Sequence, residues 1–119
     1  MRGLRMGIVR YTSVANAIAR ALGVDPPPEV RIGGSGGRIT LTFRSTGATR
    51  WSEEKQVDQA LRIAAATREV LTADSRRGVR RRARNRAIVV VFEDATLLKG
   101  CSIVGQWKCV VPADYPGEA

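Results

Sequence analysis

One stretch constrains the fold more than any other, the run AIVVVF at residues 87–92. Its β-branched and aromatic residues show no polar alternation, so we expect a central strand that is buried on both faces. Seven arginines precede it within eleven residues: Arg76, Arg77, Arg80, Arg81, Arg82, Arg84 and Arg86. The hydrophobic core and the densest positive charge of the protein therefore meet at one point of the chain.

The length of 119 residues suits one domain, which buries about two-thirds of the surface of the unfolded chain. We predict a single domain over residues 1–119, with 112–119 as a frayed C-terminal tail. Aromatic residues make up 5% of the sequence, so aliphatic side chains must fill the core.

No apolar run is long enough to span a membrane and no signal peptide is evident. We therefore expect a cytoplasmic protein.

The N-terminal segment carries apolar residues at alternating spacings of three and four, which predicts a long amphipathic helix. These residues are Leu4, Ile8, Tyr11, Ala15, Ile18 and Leu22. Gly23 suits the C-cap, and the following Asp-Pro-Pro-Pro forbids continuation. A second interpretation divides the segment into a strand over 6–11 and a shorter helix capped by Thr12 or Ser13. We favour the single helix.

A β-hairpin is predicted next, with strands over 29–32 and 38–45 around the glycine cluster GGSGG at 33–37. The second strand alternates apolar and polar residues, so the hairpin should have one solvated face. The cluster lacks the Lys-Ser/Thr of a P-loop and the final glycine of a dinucleotide fingerprint. Its GxxG joins strands, whereas that of a KH module joins helices. We favour a hairpin tip, and an engineered linker is the other interpretation.

The second helix is predicted to begin after Ser52, because an N-cap residue followed by Glu53 and Glu54 is typical of a helix start. It should run to about Thr72, and Trp51 should pack as a staple instead of stacking on a base. Its apolar stripe comprises Val57, Ala60, Leu61, Ala64 and Leu71, widened by Ile63 and Val70.

The arginine-rich segment 76–85 suits two interpretations: a loop, or a short helix that is capped by Asp74 or Ser75.

After the central strand, a turn centred on Gly105 would place Cys101 opposite Cys109. We expect reduced thiols, with a cross-strand disulfide as the alternative. The fold class is therefore α+β, a single domain of order helix-strand-strand-helix-strand-strand with a mainly antiparallel four-stranded sheet.

The residue inventory argues against enzymatic activity. The chain has no histidine, which excludes imidazole dyads, and two cysteines alone do not make a zinc site. The remaining alternative is a magnesium-dependent nuclease that uses Glu93 and Asp94, with Glu53, Glu54 or Glu69. Adjacent strand residues point to opposite faces, so Glu93 and Asp94 do not easily share one ion. We expect no metal and no cofactor.

The net charge of +9 and pI near 11.0 favour a polyanionic partner. An excess of arginine over lysine also arises from GC-rich codons. The arginines of 76–86 must be solvated, contact a polyanion, or pair with acids of the preceding helix. The candidate acids are Glu53, Glu54, Asp58, Glu69 and Asp74.

Two functional hypotheses follow. We predict a non-enzymatic module that binds DNA, RNA or another polyanion such as an acidic protein through the arginines of 76–86, without reading base sequence. The alternative is a structural or assembly subunit, for example of a virion, whose N-terminal helix and sheet edges pack against copies of itself, as a homo-oligomer, or against another protein. No motif assigns the chain to a family.

Overall fold

The computed structural model describes residues 2–33 and 37–115, with side chains from Thr12 onward. The predicted α+β class is confirmed, with one further helix because the arginine-rich segment is helical. The middle of the glycine cluster and the last four residues of the predicted tail lie outside the described residues. The elements are α1 (Arg2–Leu22), β1 (Glu29–Ile32), β2 (Ile39–Arg44), a 3-10 turn (Ala48–Arg50), α2 (Glu53–Thr72), α3 (Arg77–Asn85), β3 (Ile88–Leu98) and β4 (Cys101–Val111).

The four strands form one sheet in the order β1-β2-β3-β4. β1 pairs antiparallel with β2, and β3 pairs antiparallel with β4. The central pair, β2 with β3, is parallel because α2 and α3 carry the chain back before β3 begins. Residues 88–92 of β3 are all buried, so the central strand lies where the sequence predicts it.

The N-terminal segment is one helix, so the strand-plus-helix interpretation is wrong. Gly23 ends it with φ of 68°, and the Val24 N–H donates to the Ala19 carbonyl at 3.0 Å. This left-handed C-cap satisfies carbonyls that the helix leaves open. Ile18 is fully buried in the core, and α1 contacts both α2 and β1. No helix in the described part of the chain is long and apolar enough to cross a bilayer.

α2 begins as predicted, because the Ser52 hydroxyl accepts a hydrogen bond from the Lys55 N–H at 3.2 Å. Its apolar stripe is predicted less well, because Val57 is exposed while Gln56 and Thr67 are buried. The buried Gln56 side chain keeps a hydrogen-bond partner, because its amide donates to the Ala48 carbonyl at 2.9 Å. The polar contact, and not hydrophobicity, therefore decides how the first turns of α2 face the core.

The face of the sheet away from the core carries a row of polar contacts that crosses all four strands. Arg44 donates to Glu29 at 3.0 Å and to Glu93 at 2.9 Å. Arg31 approaches the same Glu29 at 3.3 Å, and Gln106 donates to Glu93 at 2.6 Å. The solvated face predicted for the first hairpin therefore continues across the sheet along this row, whereas Val89 and Val91 of β3, on the same face, are buried.

The turn of the second hairpin lies five residues earlier than the sequence analysis predicts. Lys99 and Gly100 form it, with φ values of 51° and 81°, as in the two-residue turns that match the twist of paired strands. Gly105 instead lies inside β4, opposite Asp94. β3 therefore continues past Glu93 and Asp94, which the sequence analysis places at its end.

The predicted pairing of the two cysteines is wrong for the same reason. Cys101 lies opposite Leu98, and Cys109 lies opposite Val90, so the two cysteines belong to the same strand. Both thiols are free. Cys109 is half-buried, and burial raises the pKa of its thiol.

Candidate functional site

The candidate site is α3, which holds its arginines on a helix anchored by two small apolar residues. Val79 and Ala83 are one helical turn apart, and both are buried. The predicted cap is wrong in detail, because Arg76 is the N-cap residue and neither Asp74 nor Ser75 caps the helix. The Asp74 carboxylate acts just before the helix, where it accepts the Arg76 N–H at 2.8 Å.

Arg76 and Arg80 are occupied by the segment that precedes α3. The Arg76 guanidinium donates to both Asp74 carboxylate oxygens, at 2.8 and 2.7 Å. These hydrogen bonds lower the pKa of Asp74, although burial alone would raise it. Arg80 donates to the Asp74 backbone carbonyl at 2.8 Å. Both arginines therefore hold the start of α3.

Arg86 is occupied at the other end of α3. One guanidinium nitrogen of Arg86 donates to the carbonyl of Gly33 at 2.9 Å and to that of Gly37 at 3.0 Å. These two carbonyls belong to the first and the last residue of the glycine cluster. Arg86 therefore ties the tip of the first hairpin to the junction between α3 and β3.

Arg68 of α2 closes the C-terminal end of α3, a role that the sequence analysis missed. Its guanidinium donates to the carbonyls of Ala83, Arg86 and Pro112. Burial lowers the pKa of Arg68, but a guanidinium stays charged at any physiological pH. A cation at this position also opposes the negative end of the helix dipole. No local pattern in the sequence marks this role, because Arg68 lies fifteen residues before Ala83.

The other four arginines of the cluster are Arg77, Arg81, Arg82 and Arg84. No side-chain hydrogen bond or ion pair joins their guanidinium groups to any residue that the structure describes. Arg77, Arg81 and Arg84 are exposed, and Arg82 is half-buried. We call these four the free arginines. Three of them, Arg77, Arg81 and Arg84, share one face of α3, and Arg82 lies to the side of that face.

A shallow groove of about 350 Å³ opens along the second half of α3. Its lining is formed by Arg81, Arg82, Asn85 and Arg86. Asn85 adds a side-chain amide donor that the sequence analysis did not single out. The guanidinium groups of Arg81 and Arg82 and the amide of Asn85 give the groove hydrogen-bond donors and positive charge, which suits an anion, while Arg86 also donates to Gly33 and Gly37.

In the described part of the chain, most arginines of 76–86 form no ion pair with the acids that the sequence offers as partners. Within the described residues, Asp74 is the acid that bonds an arginine of 76–86. Asp58 lies 3.9 Å from Arg62 instead. Glu53 and Glu54 stand in the first turn of α2, where acids favour the helix N-terminus.

The carboxylates considered for a magnesium site have other roles. Glu93 belongs to the polar row across the open face of the sheet. Asp94 accepts the N–H groups of Gly47 and Thr49 at 2.9 and 3.0 Å, and the Thr49 hydroxyl at 2.7 Å. Burial raises the pKa of Asp94, but these hydrogen bonds outweigh it and lower the pKa overall. No cluster of three or more metal-ligating side chains occurs in the part of the chain that the structure describes.

Trp51 is not a bare platform for a nucleic-acid base. Its ring packs edge-on against Phe92 at 5.7 Å between centroids, and Lys55 Nζ lies 4.4 Å from the ring centroid. Phe92 also stacks on Trp107 at 5.4 Å. These aromatic rings are therefore part of the core packing, and the contact of Trp51 with α2 is a cation–π contact with Lys55.

Neither a protein-family model nor a curated protein nor a solved structure matches this chain.

Proposed function

We propose that this protein is a non-enzymatic nucleic-acid-binding module that contacts the phosphate backbone through the free arginines of α3. The observation that supports this most strongly is the division of the cluster into occupied and free arginines. The guanidinium groups of Arg76, Arg80 and Arg86 donate to the protein's own chain, whereas those of Arg77, Arg81, Arg82 and Arg84 form no hydrogen bond or ion pair with a described residue. Unpaired guanidinium groups this close together repel one another, and phosphates relieve that repulsion.

The spacing of the free arginines suits a phosphate backbone. Arg77, Arg81 and Arg84 follow one another at intervals of four and three, so they share one face of α3. At a rise of 1.5 Å per residue they span about 10 Å along the helix axis. One strand of duplex DNA presents a phosphate about every 3.4 Å of its axis, so roughly three phosphates fall within that span.

The contacts that fix α3 on the domain favour binding, because the helix is already ordered in the absence of a ligand. Val79 and Ala83 anchor it to the core. Arg68 and Arg76 fix its two ends. A partner therefore orders side chains and not the helix itself, which lowers the entropic cost of association.

The same segment supports binding without sequence recognition. Residues 73–87 contain no aromatic side chain on which a base could stack. Guanidinium groups that contact phosphates position a protein on nucleic acid but carry no sequence information. We therefore expect similar affinity for unrelated sequences of equal length, in both DNA and RNA.

Two charge-matched variants test this proposal. Arg77→Ala/Arg81→Ala/Arg84→Ala removes three free arginines, and Arg20→Ala/Arg50→Ala/Arg62→Ala removes three exposed arginines from other elements. In gel-shift titrations at low salt with duplex DNA and with RNA, the first variant should lose binding and the control should keep most of it. Equal losses would assign binding to net charge alone. Wild-type protein that shifts neither nucleic acid would contradict the proposal and leave an acidic protein as the partner.

A second candidate function, a structural or assembly subunit, is favoured by a separate observation. The described half of α1 packs on its own domain through Val14, Ala15 and Ile18, so that half is not free for a partner. The β3–β4 hairpin, in contrast, exposes large apolar residues along its outer half. We therefore assign assembly to the sheet edge and not to the N-terminal helix.

Cytoplasmic location stays a prediction.

A further inference from the structure

The outer half of the second hairpin, residues 95–104, projects beyond the elements that cover the rest of the sheet, and we call it the arm. Every residue of the arm is exposed. The apolar residues on both of its faces are Leu97 (76% exposed), Leu98 (54%), Ile103 (52%) and Val104 (56%). Large apolar side chains on both faces of a two-stranded ribbon are unusual for a surface that stays in water.

The strand β4 also forms an open edge of the sheet. It is eleven residues long, contains no proline, and carries one charged residue, Lys108. No described strand lies beyond it. The opposite edge, β1, has four residues and is contacted by α1. Proteins normally protect long edge strands, so an unprotected one indicates pairing with another strand.

The chain also carries an apolar groove beside this edge. The groove has a volume of about 450 Å³ and lies between α2 and the end of β4. Ala64, Ala65, Val111 and Tyr115 supply its apolar lining, and Arg68, Glu69 and Thr72 complete it. A strand that pairs with the end of β4 would bring its own side chains next to this groove.

We propose that two copies of this chain pair antiparallel through β4, about a two-fold axis beside Gly105, and form a continuous eight-stranded sheet. This inference deepens the second candidate function and does not depend on nucleic-acid binding. An antiparallel pair around a two-fold axis is self-complementary, because each copy offers the same donors and acceptors to the other.

This register matches apolar groups on the core side of the two sheets. Ile103 of one copy stands opposite Trp107 of the other, and Cys101 stands opposite Cys109. The tip of each arm then reaches Val111 of the other copy, where the apolar groove begins. The chain therefore supplies both the projecting apolar arm and the groove that receives it, which favours a second copy as the partner.

The distribution of charge agrees with this arrangement. The arm contains one charged residue, Lys99, and α3 precedes the opposite end of β3. At about 3.3 Å per residue, the two α3 helices would stand roughly 40 Å apart along the strands, several times the Debye length of about 8 Å at physiological salt. The pairing would depend on the backbone hydrogen bonds along β4, which is about 36 Å long, and on the apolar contacts between Ile103 and Trp107.

Sedimentation equilibrium tests the pairing. The wild-type protein should have twice the chain mass of 12.9 kDa, and Ile103→Lys should reduce it to a monomer. Ile103 is exposed, so the lysine does not disturb the core, and circular dichroism checks the fold. The control, Val24→Lys, adds the same charge at an exposed valine just after α1 and should stay dimeric. A monomeric wild type, a larger ring, or equal effects of both variants would overturn the proposal.

Cysteine cross-linking tests the register independently. Cys101 and Cys109 lie eight residues apart in one strand, about 26 Å at 3.3 Å per residue, so they cannot bridge within a chain. With diamide as the oxidant, wild-type protein should form a covalent dimer on a non-reducing gel. Cys101→Ser and Cys109→Ser should each fail alone, and a mixture of the two should recover the dimer. A covalent dimer of either variant alone, or none in the wild type, would contradict the register.

Discussion

The Asp74 carboxylate accepts three hydrogen bonds from Arg76, through the backbone N–H and two guanidinium nitrogens, all at 2.7 to 2.8 Å. This contact binds one arginine of the cluster and fixes the turn that leads into α3. Its hydrogen bonds favour the ionised carboxylate, which is why the pKa of Asp74 is lowered in the folded protein.

Asp74→Asn should therefore destabilise the protein in a pH-dependent way. We expect a loss of about 1–3 kcal/mol at neutral pH, because charge-assisted hydrogen bonds are lost. Since the folded pKa lies below the unfolded one, the contribution is complete above about pH 5 and disappears as the pH falls through the folded value. Urea unfolding from about pH 7 to 2 measures this, and a difference between variant and wild type that stays constant would contradict it.

Thr67→Val should stabilise the protein. Thr67 is fully buried in α2, and its hydroxyl has no hydrogen-bond partner among the described residues. Valine has nearly the same shape and removes the desolvated hydroxyl, which we expect to be worth about 1 kcal/mol. The midpoint of urea unfolding should rise with an unchanged m-value. A lower midpoint would show that the hydroxyl is satisfied.

Asp94→Ala should loosen the connection between β2 and α2. The carboxylate holds Gly47 and Thr49 through three hydrogen bonds, so its loss leaves partly buried donors unpaired. We expect a destabilisation of about 2–4 kcal/mol, at the upper end for a network of bonds to one charged group. Equilibrium unfolding followed by tryptophan fluorescence reports this through the adjacent Trp51. Unchanged stability would mean that Asp94 does not organise this segment.

Elements that depend on neighbouring residues could be predicted from the sequence. The run at 87–92 predicts the central strand, and Ser52 predicts the start of α2, because both depend on neighbouring residues. The turn at Lys99 was not predicted, because lysine rarely adopts a positive φ and therefore does not mark a turn of this kind.

The division of the arginine cluster was not predictable from the sequence for a different reason. Arg86 is occupied by the carbonyls of Gly33 and Gly37, which lie about fifty residues earlier in the chain. Backbone carbonyls carry no sequence signature, so the cluster could be located but not divided. The same holds for Arg68, which reaches the end of α3 only because the fold brings α2 and α3 together.

The salt dependence of nucleic-acid binding tests the central claim most directly. Four arginines on phosphates predict a slope of about −3.6 for log K against log salt with duplex DNA, or roughly a hundredfold loss of affinity from 50 to 200 mM salt. Arg77→Ala/Arg81→Ala/Arg84→Ala should reduce the slope to about −1, and Arg20→Ala/Arg50→Ala/Arg62→Ala should leave it near the wild-type value. A slope that is the same in all three proteins would contradict the assignment of binding to α3.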